Sequence, residues 1–120
     1  MPNQRVVAVL DDLFFTVKIL DAAKRAGMTM ESVKSEIDAI DKARSAPALM
    51  IIDLNCGAID PVRLITALKA DPETKRLNLI GFISHVQGEL KLQAQQAGCD
   101  MVLARSAFSQ NLPQLLKRYA

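Results

Sequence analysis

The chain has 120 residues, the length of one domain, and we expect a single domain over residues 1–120. Half of the residues are hydrophobic and 23% are charged, as in globular domains with one buried core. The net charge of +2 is too small to indicate binding to nucleic acid or to a membrane surface. The lack of Trp argues against a stacking platform for single-stranded nucleic acid.

The two cysteines, Cys56 and Cys99, form no C-x-x-C motif, and His85 is the one histidine. A zinc site is therefore poorly supported, and free thiols are expected. No apolar run has the length of a secretion signal or of a membrane span, so we expect a cytoplasmic protein.

The first half of the chain alternates short apolar runs with amphipathic segments. Its predicted elements, in chain order, are strand 5–10, helix 14–26, strand 28–34, helix 36–46 and strand 48–54. The second strand is the most polar and is expected near a sheet edge. Helical spacing predicts that the first helix buries Leu13, Val17, Leu20 and Ala23.

The second half continues this alternation. Its predicted elements, in chain order, are helix 62–71, strand 77–84, helix 89–98, strand 99–104 and helix 109–120. Pro113 falls near the first turn of the last helix, where proline is tolerated. Five strands alternating with five helices predict an α/β fold. We expect a flavodoxin-like, doubly wound parallel sheet with strand order 2-1-3-4-5 and helices on both faces.

Acidic residues end two of the predicted strands. Asp11 and Asp12 follow the first strand, and Asp53 ends the third. These strands are neighbours in the predicted order, and ligands bind outside the carboxyl ends of such sheets. Taken singly, Asp12 can serve as a helix cap and Asp53 can simply end its strand. Taken together, the three carboxylates favour a Mg²⁺ site.

Four segments together resemble the response-regulator receiver domain, the CheY-like phosphoacceptor module of two-component signalling. They are VVAVLDD, ALMIIDLN, ALKADPETKRLNLIGFIS and AGCDMVLAR, and the resemblance covers essentially the whole chain. It implies a signalling domain rather than an enzyme, with at most self-catalysed phosphoryl transfer and hydrolysis.

The resemblance also implies roles for individual residues. Asp53 matches the phosphorylated aspartate, and Asp11 and Asp12 match the acid pair that holds Mg²⁺ together with Asp53. Asn55 matches the residue whose backbone carbonyl ligates the metal. Ser84 matches the hydroxyl residue that bonds the phosphoryl group.

Several positions depart from the family. Arg105 stands where the family has Lys, and its planar fork either grips phosphate or points to solvent. Ser106 replaces a proline that often follows a cis bond, so a trans bond and a rearranged loop are expected. His85 either narrows the entrance to the site or is an ordinary loop residue. Val102 lacks the aromatic ring that moves in many receivers.

Three functions remain open at this point. The first is a stand-alone receiver that takes a phosphoryl group on Asp53 from a sensor histidine kinase or phosphotransfer protein. It would then dock a downstream protein through helix four, strand five and helix five; self-pairing through helices four and five is left open. The alternative is a phosphorylation-independent interaction module, in which Arg105 pairs with Asp53 and mimics a bound cation. A flavin or other small-molecule site is disfavoured, because no glycine-rich phosphate motif occurs.

Overall fold

The computed structural model describes residues 4–84 and 88–120. Within them, the strands are β1 (Arg5–Val9), β2 (Thr29–Val33), β3 (Leu49–Asp53), β4 (Leu79–Ile83) and β5 (Met101–Ala104). The helices are α1 (Leu13–Arg25), α2 (Glu36–Ala43), α3 (Pro61–Ala70), α4 (Gly88–Ala97) and α5 (Arg105–Tyr119). All strand pairs are parallel, in the order β2-β1-β3-β4-β5. The predicted fold class and strand order are therefore confirmed.

Helices cover both faces of the sheet, and each face has its own hydrophobic core. Successive side chains of a strand point to opposite faces. Val6 and Ala8 of β1 accordingly pack with α1 and α5, whereas Val7 and Val9 pack with α2, α3 and α4. This two-sided burial explains why the central strands are apolar at nearly every position.

The buried face of α1 differs from the predicted one. Leu13 and Val17 are 77% and 56% exposed, and Phe14 beside them is 68% exposed. The buried residues of this helix are Phe15, Ile19, Ala22 and Ala23, so the prediction is confirmed for Ala23, and Leu20 is half-buried. Phe15 decides the orientation, because its ring stacks on Phe82 of β4, with ring centroids 5.2 Å apart.

The start of α5 also differs from the prediction. β5 passes directly into α5 at Arg105, so the rearranged loop expected at Ser106 is wrong. Pro113 lies inside α5 rather than near its first turn. The helix continues past this proline with one buried face, formed by Phe108, Leu112, Leu115 and Leu116. Every peptide bond in the described ranges is trans, including the bond between Arg105 and Ser106, as predicted.

The remaining element boundaries lie within three residues of their predicted positions. Cys56 and Cys99 are both free and buried. Of the helices in the described ranges, none has both the length and the apolar character that crossing a membrane requires.

Candidate functional site

The predicted site residues lie at one rim of the sheet. β1 pairs with β3, which sets Val9 beside Ile52, so the residues that follow each strand emerge next to one another. Asp11 and Asp12 follow β1, and Asp53 is the last residue of β3. Ser84 follows β4, and Arg105 follows β5. The topology thus brings together residues that are up to about ninety positions apart in the chain.

Asp53 is the buried carboxylate of this rim. Only 5% of the residue is exposed, and its Oδ1 accepts a hydrogen bond from the backbone N–H of Asn55 at 2.9 Å. Burial raises the pKa of Asp53, and the negative charges of Asp11 and Asp12 raise it further. The Asn55 N–H and the charge of Arg105 act in the opposite direction on the same pKa. The carboxylate form of Asp53 is therefore stabilised by added positive charge.

Each carboxylate oxygen of Asp12 accepts a hydrogen bond. Its Oδ1 accepts the backbone N–H of Phe15 at 3.2 Å and so caps α1. Its Oδ2 accepts a hydrogen bond from Nη2 of Arg105 at 3.0 Å, which forms an ion pair. The cap interpretation of Asp12 is therefore confirmed, although it accounts for only one of the two oxygens. The predicted pairing of Arg105 with Asp53 is wrong, because the direct partner is Asp12.

Arg105 lies against the aromatic side chains beneath the rim. Its Cζ atom lies 4.4 Å from the ring centroid of Phe15 and 6.0 Å from that of Phe82. Its Nε is buried and has no acceptor among the described residues. The alternative that Arg105 points to solvent is therefore wrong. Sequence reasoning missed Phe15 as its platform, since helical spacing favoured the opposite face of α1.

Ser84 and Asn55 are joined across the rim. The side-chain oxygen of Asn55 accepts both the backbone N–H and the hydroxyl of Ser84, each at 2.7 Å. The sequence interpretation concerned the backbone carbonyl of Asn55, and its side chain was missed. An amide two residues past a strand, facing a hydroxyl at the end of the neighbouring strand, is the signal that could have indicated this bond.

The rim does not offer a ready-made three-carboxylate metal site. No group of three Asp, Glu, Cys or His side chains is arranged to hold an ion within residues 4–84 and 88–120. The oxygen ligands have the chemistry that Mg²⁺ prefers, and Asp11 is exposed. However, Arg105 already neutralises Asp12. Burial also raises the pKa of the thiol of Cys56, the residue after Asn55, so Cys56 favours the protonated form, which is a poor metal ligand.

Val102 and His85 are the remaining positions at which the chain departs from the family. Val102 is a buried residue of β5, 6% exposed, and belongs to the core on the α2–α4 side. His85 lies outside the described residues, so its interpretation stays a prediction.

The likeness of this chain to known proteins is one of structure. No protein-family model matches the chain, and no curated protein matches it significantly. Solved structures do match over nearly the full length. A putative response regulator from Chloroflexus aurantiacus is 21% identical with a TM-score of 0.85, and the match covers 98% of this chain and 97% of that one.

Two sensor-protein structures are similar in the same way. A sensor protein from Polaromonas sp. is 27% identical with a TM-score of 0.80, over 98% of this chain and 96% of that chain. The receiver domain of a sensor histidine kinase from Pseudomonas aeruginosa, solved with a magnesium ion coordinated in its active-site cleft, is 20% identical with a TM-score of 0.82. That match covers 98% of this chain and 97% of the other. The resemblance is thereby confirmed at the level of the fold: the chain has the receiver-domain fold of response regulators.

Proposed function

We propose that this chain is a receiver domain of two-component signalling and accepts a phosphoryl group on Asp53. The observation that carries the proposal is the position of Asp53. It is a buried carboxylate at the carboxyl end of the central strand of a receiver fold, beside Asp11 and Asp12. The donor that fits this chemistry is a sensor histidine kinase or a phosphotransfer protein, acting in the cytoplasm.

The transfer uses the chain's own groups as follows. A carboxylate oxygen of Asp53 forms a bond to phosphorus while the bond between phosphorus and the donor breaks, and the electron pair leaves with the donor. The product is an acyl phosphate on Asp53. Its new negative charge adds to a rim that already holds two acids, so a cation must balance it. Arg105 is a cation already close enough to do so, since its charge lowers the pKa of Asp53.

Magnesium is a second source of balancing charge. The Pseudomonas receiver holds this ion in its cleft. In this chain the corresponding ligands would be Asp11, Asp12, Asp53 and the backbone carbonyl of Asn55, with Asp12 engaged by Arg105. Bound there, the ion would neutralise charge on the phosphoryl oxygens. Transfer onto Asp53 is the only chemistry we propose, with no turnover of an outside substrate.

Output would occur by docking. Ser84 follows β4 directly and precedes α4 by a few residues, so a change at Ser84 is close to the proposed docking face of α4, β5 and α5. To bond a phosphoryl oxygen, the Ser84 hydroxyl must leave the Asn55 side chain, which it contacts at 2.7 Å. Exchange of one hydrogen-bond acceptor for another is a local change with a small net energy, of about 1 kcal/mol.

Intact-mass measurement tests the proposal. The full chain is incubated with acetyl phosphate and MgCl₂, and one phosphoryl adduct is expected. Asp53→Asn should abolish the adduct, whereas Asp41→Asn, at an exposed position of α2, should leave it unchanged. Failure to form an adduct, or an adduct that persists in Asp53→Asn, would refute the proposal.

A phosphorylation-independent interaction module is the second candidate, and one observation favours it. The ion pair between Arg105 and Asp12 supplies positive charge to the rim before any phosphoryl group arrives. The two candidates differ in partner binding. A change in partner affinity on Asp53→Asn without any phosphodonor would support the interaction module. A change that appears only with phosphodonor would support the phosphoacceptor.

A further inference from the structure

We propose that the Arg105 guanidinium is the resident cation of this rim and competes with a divalent cation for Asp12. The affinity of the rim for Mg²⁺ is then set by Arg105. This inference rests on the proposed function only in treating the three acids as a cation site. It concerns metal binding in the absence of any phosphodonor.

Both oxygens of Asp12 are already committed. One of them caps α1 through the N–H of Phe15, and the other receives Nη2 of Arg105 at 3.0 Å. A metal ion that takes Asp12 as a ligand must share or displace one of these donors. Loss of the cap would disturb the start of α1, so Arg105 is the donor that yields.

Arg105 is held by more than its ion pair. The Cζ atom lies 4.4 Å from the Phe15 ring centroid, and the side chain is 36% exposed. The attraction between the guanidinium and the face of the Phe15 ring adds to that of the ion pair. The cation is therefore positioned by the core beneath it and not by Asp12 alone.

This position of Arg105 leaves one of its hydrogen-bond donors without a partner in the described part of the chain. Its Nε is buried without an acceptor among the residues described, and buried donors without partners destabilise a structure. We infer that the Arg105 side chain can move to a second position, in which its Nε gains a hydrogen-bond partner and Asp12 is released. Two cations that need the same carboxylate disfavour one another, and by linkage the effect is equal in both directions.

Titration with MgCl₂ tests this competition. Binding is measured by isothermal calorimetry on the full chain without phosphodonor. Arg105→Gln should bind Mg²⁺ about fivefold more tightly than the wild type, the upper end of what a partly exposed ion pair contributes. Arg118→Gln is the matched control, because it removes the same charge from an exposed position of α5, about 20 Å further along the helix. We expect the affinity of Arg118→Gln to stay within about twofold of the wild type, since screening weakens charge effects at that distance.

A second measurement uses the wild type and does not depend on the folding of a variant. The ¹⁵N–¹H signal of the Arg105 Nε should shift as Mg²⁺ is added, because this buried group moves when Asp12 is released. The Nε signal of Arg118 should not shift.

Three results would overturn the inference. They are equal or weaker Mg²⁺ binding in Arg105→Gln, no Mg²⁺ binding in either protein, or an unmoved Arg105 Nε signal. The phosphoryl-adduct assay is scored separately. An adduct on Asp53 with unchanged Mg²⁺ affinity in Arg105→Gln would refute the competition alone, and competition without an adduct would refute the phosphoacceptor role alone.

Discussion

Replacement of Asp53 by Asn should stabilise the fold near neutral pH. The substitution keeps the shape of the side chain and the oxygen that accepts the Asn55 N–H at 2.9 Å, and it removes the charge. Asp53 is 5% exposed, and Asp11 and Asp12 repel its carboxylate. A carboxylate that is buried beside two like charges is less stable than a neutral group of the same shape in its place. Because Arg105 offsets part of this cost, we expect a gain of about 1 kcal/mol in the free energy of unfolding.

The pH dependence gives the sign of the effect. Burial raises the pKa of Asp53 on folding, so the folded state holds this proton more tightly than the unfolded chain does. The stability that this group contributes is fully present below the unfolded-state pKa of about 3.9, and it is lost as the pH rises through the folded-state pKa. The difference between Asp53→Asn and the wild type should therefore be close to zero at low pH and largest near neutral pH.

Urea unfolding over a series of pH values, without phosphodonor or Mg²⁺, measures this difference. Asp41→Asn is the matched control. It removes the same charge from an exposed position of α2 and should change stability by less than about 0.5 kcal/mol throughout. If Asp53→Asn were less stable than the wild type near neutral pH, or if its gain persisted unchanged in acid, the assigned electrostatics of Asp53 would be wrong.

Other substitutions test packing, capping and backbone conformation by the same unfolding assay. Phe108→Ala should cost about 3–5 kcal/mol, because its ring is fully buried 4.7 Å from a stacked neighbour, whereas Phe14→Ala should cost less than about 0.5 kcal/mol. Asp12→Ala should cost about 1 kcal/mol through loss of the α1 cap, and exposed Asp11→Ala should cost little. Gly98→Ala should cost about 1–3 kcal/mol, because φ is +116° there and an added Cβ would lie 2.6 Å from a side-chain carbon of α3. Equal losses within either pair, or an unchanged Gly98→Ala, would contradict these assignments.

The strand order was predictable because it depends on chain-wide regularities. Apolar runs of strand length alternated with amphipathic segments, and parallel crossovers are almost always right-handed. That pattern leaves few arrangements of five strands, and the position of Asp53 at the rim follows from the end of its apolar run. Local periodicity and topology together therefore located the site.

The orientation of α1 could not be predicted in this way. Two apolar stripes are present in this helix: one contains Leu13 and Val17, and the other contains Phe15 and Ile19. Both satisfy helical spacing, so periodicity alone cannot choose between them. The choice depends on the ring of Phe82, which belongs to a strand far away in the sequence.

The partners within the site escaped prediction for a related reason. Arg105 and Asp12 are 93 positions apart, and Asn55 and Ser84 are 29 apart. The fold brings each pair to one rim, but the choice among several acids and acceptors there depends on distances of a few ångströms. Sequence reasoning placed Arg105 near the acids and then assigned it to the wrong one.

The contact of Arg105 with Phe15 links surface charge to the interior of the protein. Phe15, Phe82 and Phe108 form one cluster of rings, each in contact with the other two, which connects α1, β4 and α5. The guanidinium lies over the Phe15 ring of that cluster, so its departure would expose an aromatic ring to water as well as free a carboxylate. Displacement of Arg105 by another cation would therefore increase the exposure of Phe15 to water. A solvent-sensitive probe of Phe15 would detect this exchange of one cation for another.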